Sequence, residues 1–388
     1  MAAHPGARSG ATRSRAAGSG GTGASAAVAG IAARVDAVLD EFVTAELDTL
    51  RSLSPEVAAA AAALRELILG GGKRLRPAFG YWGYRGVGPS PAGGAPEHAA
   101  KHDEAVLRAV SALELLHAFA LIHDDVMDAA PTRRGAPTLH RQFGERHAAA
   151  GWRGDPGRFG DSVAVLLGDL CTVWADRLIG TSGLPAAVLL GARREYDEMR
   201  IEAVAGQYLD VLHGADGAPG VGTAVTVARF KSASYTVQRP LQFGAALSGA
   251  VAPDVVAAYD RFGGAVGEAF QLRDDLLGVY GESAVTGKPV GADLRQGKPT
   301  VLAELAFSLA APAQHRRLDR VFGDPDASDA AVADAAAAIT ESGARAEAET
   351  MISARVSAGL AALAAAPIDP VARDRLSALA LASVQRLA

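Results

Sequence analysis

Two clusters of aspartates interrupt stretches that are otherwise apolar and helical in pattern. Asp124, Asp125 and Asp128 fall in HDDVMD, and Asp274 and Asp275 fall in FQLRDDLLGVYG, within the stripe Ala269, Phe270, Leu272, Leu276, Leu277 and Val279. Aspartate is a poor helix former, and like charges four residues apart on one helix face repel. Burial makes this worse by lowering the dielectric. Divalent cations offset the cost. Asp124 and Asp128 share a face with Cβ atoms about 5–6 Å apart, within reach of hard ions that prefer oxygen ligands. Mg²⁺ held by few carboxylates keeps positions open for water and substrate phosphate. One such cluster reads equally well as a solvated acidic turn. Two, separated by about 150 residues, have the makings of a metal site between facing helices of a bundle.

The helix wheel adds His117, seven positions before Asp124 and within about 20° of its direction. A satisfied core histidine is the ordinary reading of a lone His, but this one lies below the acidic pair, where it can donate to a phosphate oxygen. Basic residues recur in turn-like contexts: Lys73 and Arg76 in GGGKRLRP, Arg133 and Arg134 in TRRG, Lys231, and Lys288 and Lys298 in two Gly-Lys-Pro turns. Gly-rich turns ahead of a helix expose N–H groups to anions, and Lys or Arg completes the charge. Each cluster alone is a solvated surface. Beside two acidic motifs, their recurrence makes diphosphate plus Mg²⁺ the economical ligand. The sequence has no nucleophile elbow, no HExxH and no GxGxxG ahead of a strand. The Gly-Lys turns miss the P-loop spacing and put Pro where Ser or Thr binds the metal. What remains is ionic chemistry, the departure of a diphosphate leaving group stabilised by metal ions and cations.

Positioning these groups falls to helices. In 388 residues, hydrophobic side chains make up 49% but aromatics only 5%; Ala and Leu, both strong helix formers, supply the bulk. The fold class is all-α, one large helical bundle around a central cavity. The helical stripe begins at Ile31, stops at Gly70-Gly71-Gly72 and resumes after Pro77, with Gly86–Pro96 as a loop. A long helix covers Glu104 to about Asp128. The stretch Gly151–Gly160 reads as an ordered insertion outside any helix. Further helices are expected over Ser162–Ile179, Pro185–Leu212, Thr223–Ser248, Pro253–Tyr280 and Thr300–Ala310, with two more after Ser328. Sustained strand alternation is absent.

Residues 1–30 read as a disordered Gly/Ser/Ala/Arg-rich tail ahead of one helical domain over 31–388. An Arg-rich, acid-poor start also resembles an organelle transit peptide, but the Gly-Ser run favours the tail and a cytoplasmic protein. The net charge of −5 excludes nucleic-acid binding through bulk electrostatics. No window of about 18 apolar residues is free of charge, so no membrane span is expected. The lone Cys171 excludes an intramolecular disulfide and reads as a core residue.

Taken together, the motifs GGKRLRP, LLHAFALIHDDVMD, RRGAPTLH, GQYLD, KSASYT, FQLRDDLLG and GKPVGADLRQGKPT occur in an order that resembles the trans-isoprenyl diphosphate synthases, or polyprenyl synthetases, over about Ile31 to Gln385. The resemblance implies an isoprenoid-synthase fold, a homodimer and three Mg²⁺ ions between the two aspartate-rich helices. It implies that Asp124, Asp128 and Asp274 ligate metal, with Asp125 and Asp275 in support. Lys73, Arg76, His117 and Arg134 then hold isopentenyl diphosphate. Arg133, Lys231, Gln271 and Lys288 hold the allylic diphosphate, dimethylallyl, geranyl or farnesyl, and Lys298 closes over it. The implied reaction is ionisation, condensation and elimination, with no protein base required.

Two positions depart from the family pattern: Ser232 replaces the usual Thr and keeps its hydroxyl, and Gly278 stands where many members carry the last Asp of the second motif. Phe119, five positions before Asp124 and next to the small Ala120, resembles the aromatic floor of geranylgeranyl diphosphate synthases, which implies a C20 product. A farnesyl or longer-chain synthase, a catalytically silent partner subunit motivated by Gly278, and a class I terpene cyclase are the alternatives. The cyclase lacks a reason for GGKRLRP and RRG. A plain helical scaffold with chance Asp pairs accounts for none of the ordered motifs.

Overall fold

The structure, a computed structural model, describes residues 20–88, 96–216, 220–249, 251–282 and 290–385. Helices dominate: α1 Gly20–Leu53, α2 Pro55–Leu69, α3 Leu75–Val87, α4 Pro96–Met127, α5 Leu139–Ala149, α6 Pro156–Gly180, α7 Ala186–Asp216 and α8 Val221–Ala228. A π-helical segment, Arg229–Gln238, runs directly into α9 Arg239–Ala246. Then follow α10 Pro253–Tyr280, α11 Ala292–Arg295, α12 Val301–Leu309, α13 Pro312–Asp319, α14 Asp329–Glu341, α15 Ala344–Ala364 and α16 Pro370–Val384. Among the described residues the only sheet is a hairpin of two-residue strands, β1 Thr132–Arg133 paired antiparallel with β2 Ala136–Pro137.

Several boundaries differ from the sequence reading. The tail expected over residues 1–30 is helical from Gly20, because the Ala-rich run Ala24–Ala29 extends the helix that the apolar stripe anchors; residues 1–19 lie outside the described residues. The expected insertion at Gly151–Gly160 already contains the start of α6. Asp155 caps it through the Arg158 N–H at 2.7 Å, and Pro156 occupies the first turn, a standard start signal. Helix α5 precedes it. After Thr300–Ala310 the chain adds α13, and three helices follow Ser328 instead of two.

Helix α4 is the central strut. It packs against α6, α3, α1 and α2, and its segment Ala100–Met127 is long and apolar enough to cross a membrane, with 72% of its most apolar window buried inside the fold. Around it gathers the larger hydrophobic cluster, including Leu39, Leu64, Phe79, Leu113, Trp174 and Phe262. Cys171 is fully buried there, as expected. A second cluster joins α10 to α12, α14 and α15 through Leu276, Leu302, Ile339 and Ile352. Helix α10, which carries Asp274 and Asp275, is thereby fixed to the C-terminal helices.

One buried ion cluster ties the Gly-rich loop to this frame. Arg74 adopts a left-handed backbone, φ 48°, and is 2% exposed at its side chain. Its Nη1 donates to Glu114 Oε2 on α4 at 2.8 Å, its Nε to Asp36 Oδ1 on α1 at 2.7 Å, and its Nη2 to the carbonyl of Ile68 at 2.7 Å. Removing one partner of a buried pair strands the other charge and costs about 3–5 kcal/mol. Arg74→Ala should therefore lower unfolding free energy by about that amount, measured by urea denaturation; a loss within the range of a surface substitution would show that the cluster does not hold the loop.

Candidate active site

Between α4 and α10 lies a cavity of about 1550 Å³, and the expected site residues gather in its wall. Lys73, Arg76, His117, Phe119, Ala120, Asp124, Arg133, Arg134, Lys231, Ser232, Gln271, Asp274 and Lys298 all line it, as do Asp275 and Gly278. Asp128 meets it through Lys298, whose Nζ donates to Asp128 Oδ2 at 2.6 Å. Lys288 lies outside the described residues. Residues from the distant stretches 70–76, 117–134, 231–235 and 271–300 thus converge on one space.

The acids face bases across it. Lys231 Nζ donates to Asp124 Oδ1 at 2.9 Å and to Asp210 Oδ2 at 2.5 Å, and Gln207 Nε2 reaches Asp124 Oδ1 at 3.3 Å. Burial works to raise the Asp124 carboxyl, but Lys231, Lys298 and Arg133 overcome it and hold the group well below the usual carboxylate range. The lysines respond in kind. Burial opposes the charged form of each, and the facing carboxylates more than restore it, Asp124 and Asp210 for Lys231, Asp128 and Asp124 for Lys298.

The partners of the two other aspartates are protein groups. Asp125 is buried and receives a double donation from Arg133, Nε to Oδ2 at 2.8 Å and Nη2 to Oδ1 at 2.6 Å. Asp275 accepts from Gln271 Nε2 at 2.8 Å and from the Val301 N–H at 3.2 Å, at the first turn of α12. Burial pushes the Asp275 carboxyl up to about 7. The support expected from this pair is therefore orientation of Arg133 and Gln271 and closure of the α12 terminus.

Local backbone geometry explains how these groups reach each other. The π-helical segment carries Lys231, Ser232 and Tyr235, and such wide turns inside helices recur at functional sites. On α7, a Cβ at Gly206 would lie 2.2 Å from the Lys231 backbone nitrogen, so glycine there lets the two backbones touch and sets Gln207 beside Asp124. At the mouth, Arg134 has φ 53° and its Nη1 donates to the Gly71 carbonyl at 2.7 Å, tying the hairpin to the Gly-rich loop. Left-handed non-Gly residues cost energy and cluster at sites where neighbours over-determine them.

His117 and Arg76 meet on Tyr235. His117 Nδ1 and the Tyr235 hydroxyl are 2.7 Å apart, while the Arg76 guanidinium lies over the Tyr235 ring at 4.2 Å and donates to Thr236 Oγ1 at 2.8 Å. The Arg76 Nε is buried with no hydrogen-bond partner. On the apolar side, Phe119 packs at 4.5 Å against His123. His123 fills the notch left by Gly168 on α6 and contacts the Val165 carbonyl at 3.2 Å.

Arg74, Gln207, Asp210, Tyr235 and Asp293 belong to this site without having been singled out from the sequence. Each falls inside a quoted motif, GGKRLRP, GQYLD, KSASYT or GKPVGADLRQGKPT, but polar residues with no partner in sequence give no sign of which neighbour they serve.

The donor set suits a hard divalent ion in one particular way. No group of three His, Cys, Asp or Glu among the described residues converges on one point, so an all-protein cage is absent. Asp124 on α4, Asp128 in the turn just past its end and Asp274 on α10 instead offer one or two carboxylates per ion, the arrangement in which Mg²⁺ completes its shell with phosphate oxygens and water.

The polyprenyl synthetase family model matches residues 57–339 of the chain. The protein belongs to this family. It is a trans-prenyltransferase of the prenyl diphosphate synthase type. It is 33% identical over 284 residues to the geranylfarnesyl diphosphate synthase of Aeropyrum pernix, covering 72% of this chain and 78% of the relative. It is likewise 33% identical over 261 residues to a geranylgeranyl diphosphate synthase of Mycobacterium tuberculosis, covering 67% and 69%. Among solved structures, a geranylgeranyl pyrophosphate synthase from Corynebacterium glutamicum, complexed with isoprenyl diphosphate and magnesium, superposes with a TM-score of 0.85 at 39% identity over 91% of this chain and 98% of that one. The all-α expectation holds, and family membership removes the plain scaffold from consideration.

The environment of His117 has a measurable consequence. Burial first, then Arg76, Arg133, Arg134 and Arg74, hold its pKa well below the ordinary value. The unfolded chain takes up a proton near about pH 6.5 while the folded one resists it, so His117 contributes stability above that pH that is lost as pH falls. The melting temperature of the metal-free protein should drop from about pH 7.5 to about pH 5, and His117→Gln should make the drop shallower; an unaltered slope would place the titration elsewhere.

Proposed function

We propose that the protein is a Mg²⁺-dependent synthase that condenses isopentenyl diphosphate with an allylic diphosphate and releases geranylgeranyl diphosphate, C20. The observation that carries this reading is the cavity itself, whose wall brings together aspartates from two helices, Lys and Arg side chains from four stretches of chain, and the apolar Phe119 and Ala120. The Corynebacterium neighbour, whose structure holds isoprenyl diphosphate and magnesium, supports the choice of ligand and metal.

When bound, Mg²⁺ supplies positive charge against the diphosphate leaving group. Asp124, Asp128 and Asp274 hold it. Lys231, Lys298 and Arg133 stand where negative charge develops as the allylic C–O bond breaks, and preorganised cations in a cavity away from bulk water stabilise such charge strongly. Lys73, Arg76, His117 and Arg134 hold isopentenyl diphosphate from the opposite rim. Its double bond attacks the allylic carbon, forming the new C–C bond, and the proton lost from the isopentenyl unit passes to the departed diphosphate, so no protein base is needed. His117 is unsuited to take that proton, because the surrounding guanidiniums disfavour its charged form; it serves as a neutral hydrogen-bond donor through the nitrogen that does not face Tyr235.

Phe119 limits growth of the chain. It packs against His123, which in turn meets Gly168 on α6. We further place the reaction in a cytoplasmic homodimer. Helices α6 and α7 expose Leu166, Val173, Leu190, Ile201 and Tyr208, Leu190 at 77%, and Arg200 to Asp176 at 3.2 Å joins the two helices. Exposed apolar surface of this kind marks an interaction face. A second copy of this chain would cover it, and with it Val204 and Tyr208, which also line the cavity.

Purified protein incubated with Mg²⁺, farnesyl diphosphate and isopentenyl diphosphate should yield mainly C20, sized by chromatography. A dominant C15 or C30-plus product would overturn the chain length, and no turnover by the protein alone would favour a silent partner subunit. Phe119→Ala should shift the product distribution to longer chains with the fold intact; unchanged lengths would remove Phe119 as the barrier. Sedimentation should give a dimer, and Leu166→Glu with Ile201→Glu should give monomers.

A further inference from the structure

We propose that the loop between α5 and α6 is a docking patch for an anionic phospholipid bilayer, with Trp152 entering the interface and Arg146, Arg153 and Arg158 supplying the charge that holds it there. The proposal does not depend on the chain length of the product. Residues 146–160 carry three arginines against one acid, Asp155, and that carboxylate is engaged with the first turn of α6. The three arginines are exposed, and among the described residues none of them forms an ion pair. Other surface arginines are paired, Arg177 with Glu46 at 2.6 Å and Arg194 with Glu198 at 2.8 Å. In a chain of net charge −5, the loop is a local positive excess that the fold does not use.

Trp152 is exposed and yet fixed. Of the three tryptophans, Trp174 is buried and Trp82 partly so, whereas Trp152 is 47% exposed. Its ring meets His147 at 5.8 Å and Phe159 at 5.4 Å, both edge-to-face, and the Arg146 guanidinium lies 6.0 Å from its centre. The Trp152 N–H donates to the His147 carbonyl at 3.3 Å, and the buried His147 donates from Nε2 to the Arg153 carbonyl at 3.0 Å. Gly151 and Gly154, at φ 63° and 98°, make the tight reversal around the indole. An indole held out in this way keeps an apolar body and a polar N–H, the pairing that places tryptophan at the level of lipid headgroups. Arginines beside it gain from the negative potential of an anionic surface.

The location suits the activity. Val126 and Ala129, at the end of α4, share a groove with Gly144 and Pro156, which sets the loop at the end of α4 that bears Asp124 and Asp128. A prenyl diphosphate joins a charged head to a hydrocarbon chain that water disfavours, so a bilayer at that end gives released product an apolar destination. Single-stranded nucleic acid fits less well. It binds on rows of exposed aromatics, and the other exposed aromatic among the described residues, Tyr208, lies on α7.

Co-sedimentation with vesicles tests the patch. The full chain should bind phosphatidylglycerol vesicles, ignore phosphatidylcholine vesicles, and come off in about 0.5 M salt, where charge is screened beyond a few ångströms. The triple variant Arg146→Gln, Arg153→Gln, Arg158→Gln should bind about a hundredfold more weakly, with its melting temperature retained. Tryptophan emission should shift to shorter wavelength on binding and be quenched by brominated lipid. Trp152→Phe should abolish both signals, because Trp82 and Trp174 stay within the fold. Failure of the wild type to bind phosphatidylglycerol, undiminished binding by the triple variant, or an emission change that survives Trp152→Phe would each overturn the proposal. Tighter binding of a single-stranded oligonucleotide than of vesicles, through the same arginines, would also overturn it and assign the patch to nucleic acid.

Discussion

Asp124 and Lys231 come from positions 107 residues apart and meet at 2.9 Å beside an apolar wall that includes Phe119, Ala203 and Leu277. A charge taken out of water carries a large desolvation penalty, and only a well-placed counter-charge makes it tolerable. The same reasoning applies to Asp128 with Lys298 and to Asp125 with Arg133. Positions of α4, α10, the π-helical segment and the Gly297 turn are all answers to one demand, that acids and bases at the end of the cavity lie within a hydrogen bond of each other. On the proposed reading, the carboxylates would hold the metal and the lysines that now pair with them would be free to hold the diphosphate, so each group keeps a counter-charge.

The bases at the rim are held by strain as well as by charge. Arg74 and Arg134 both have left-handed backbones, and each is fixed through its side chain to a neighbouring element, Arg74 to α1 and α4, Arg134 to the Gly71 carbonyl. The result is that Lys73 on its loop, Arg76 at the start of α3 and Arg133 in β1 lie next to fixed neighbours. Rigid supports of this kind matter where misplacement by a fraction of an ångström weakens catalysis.

Much of this was legible in the sequence because the signals were local. Pro253 and Gly281 bound α10 at the expected residues, and two acidic interruptions of apolar stripes located the helices whose aspartates meet at the cavity. The reading failed where a local signal was present but outweighed: WRGDPGRFG looked too rich in glycine for a helix, although Asp155-Pro156 is a start signal. It also failed where information was not local. Nothing in KSASYT distinguishes a wide helical turn from a regular one. The partners of Lys231 and Lys298 lie 107 and 170 residues away and are chosen by packing.

The wide turn at Arg229–Gln238 also sets the phase of the helix that contains it. Each residue of an α-helix advances the face by about 100°, and a π-helical stretch accommodates extra residue without changing where the flanking α-helical segments point. Val221–Ala228 can therefore stay seated on α12 and α7 while Arg239–Ala246 stays seated on α3, and the slack between them is spent on the side chains that face the cavity. The segment works as an indexing device. It lets the two ends of one long rod be packed independently, and a single-residue deletion within it would leave both ends unable to keep their seats at once.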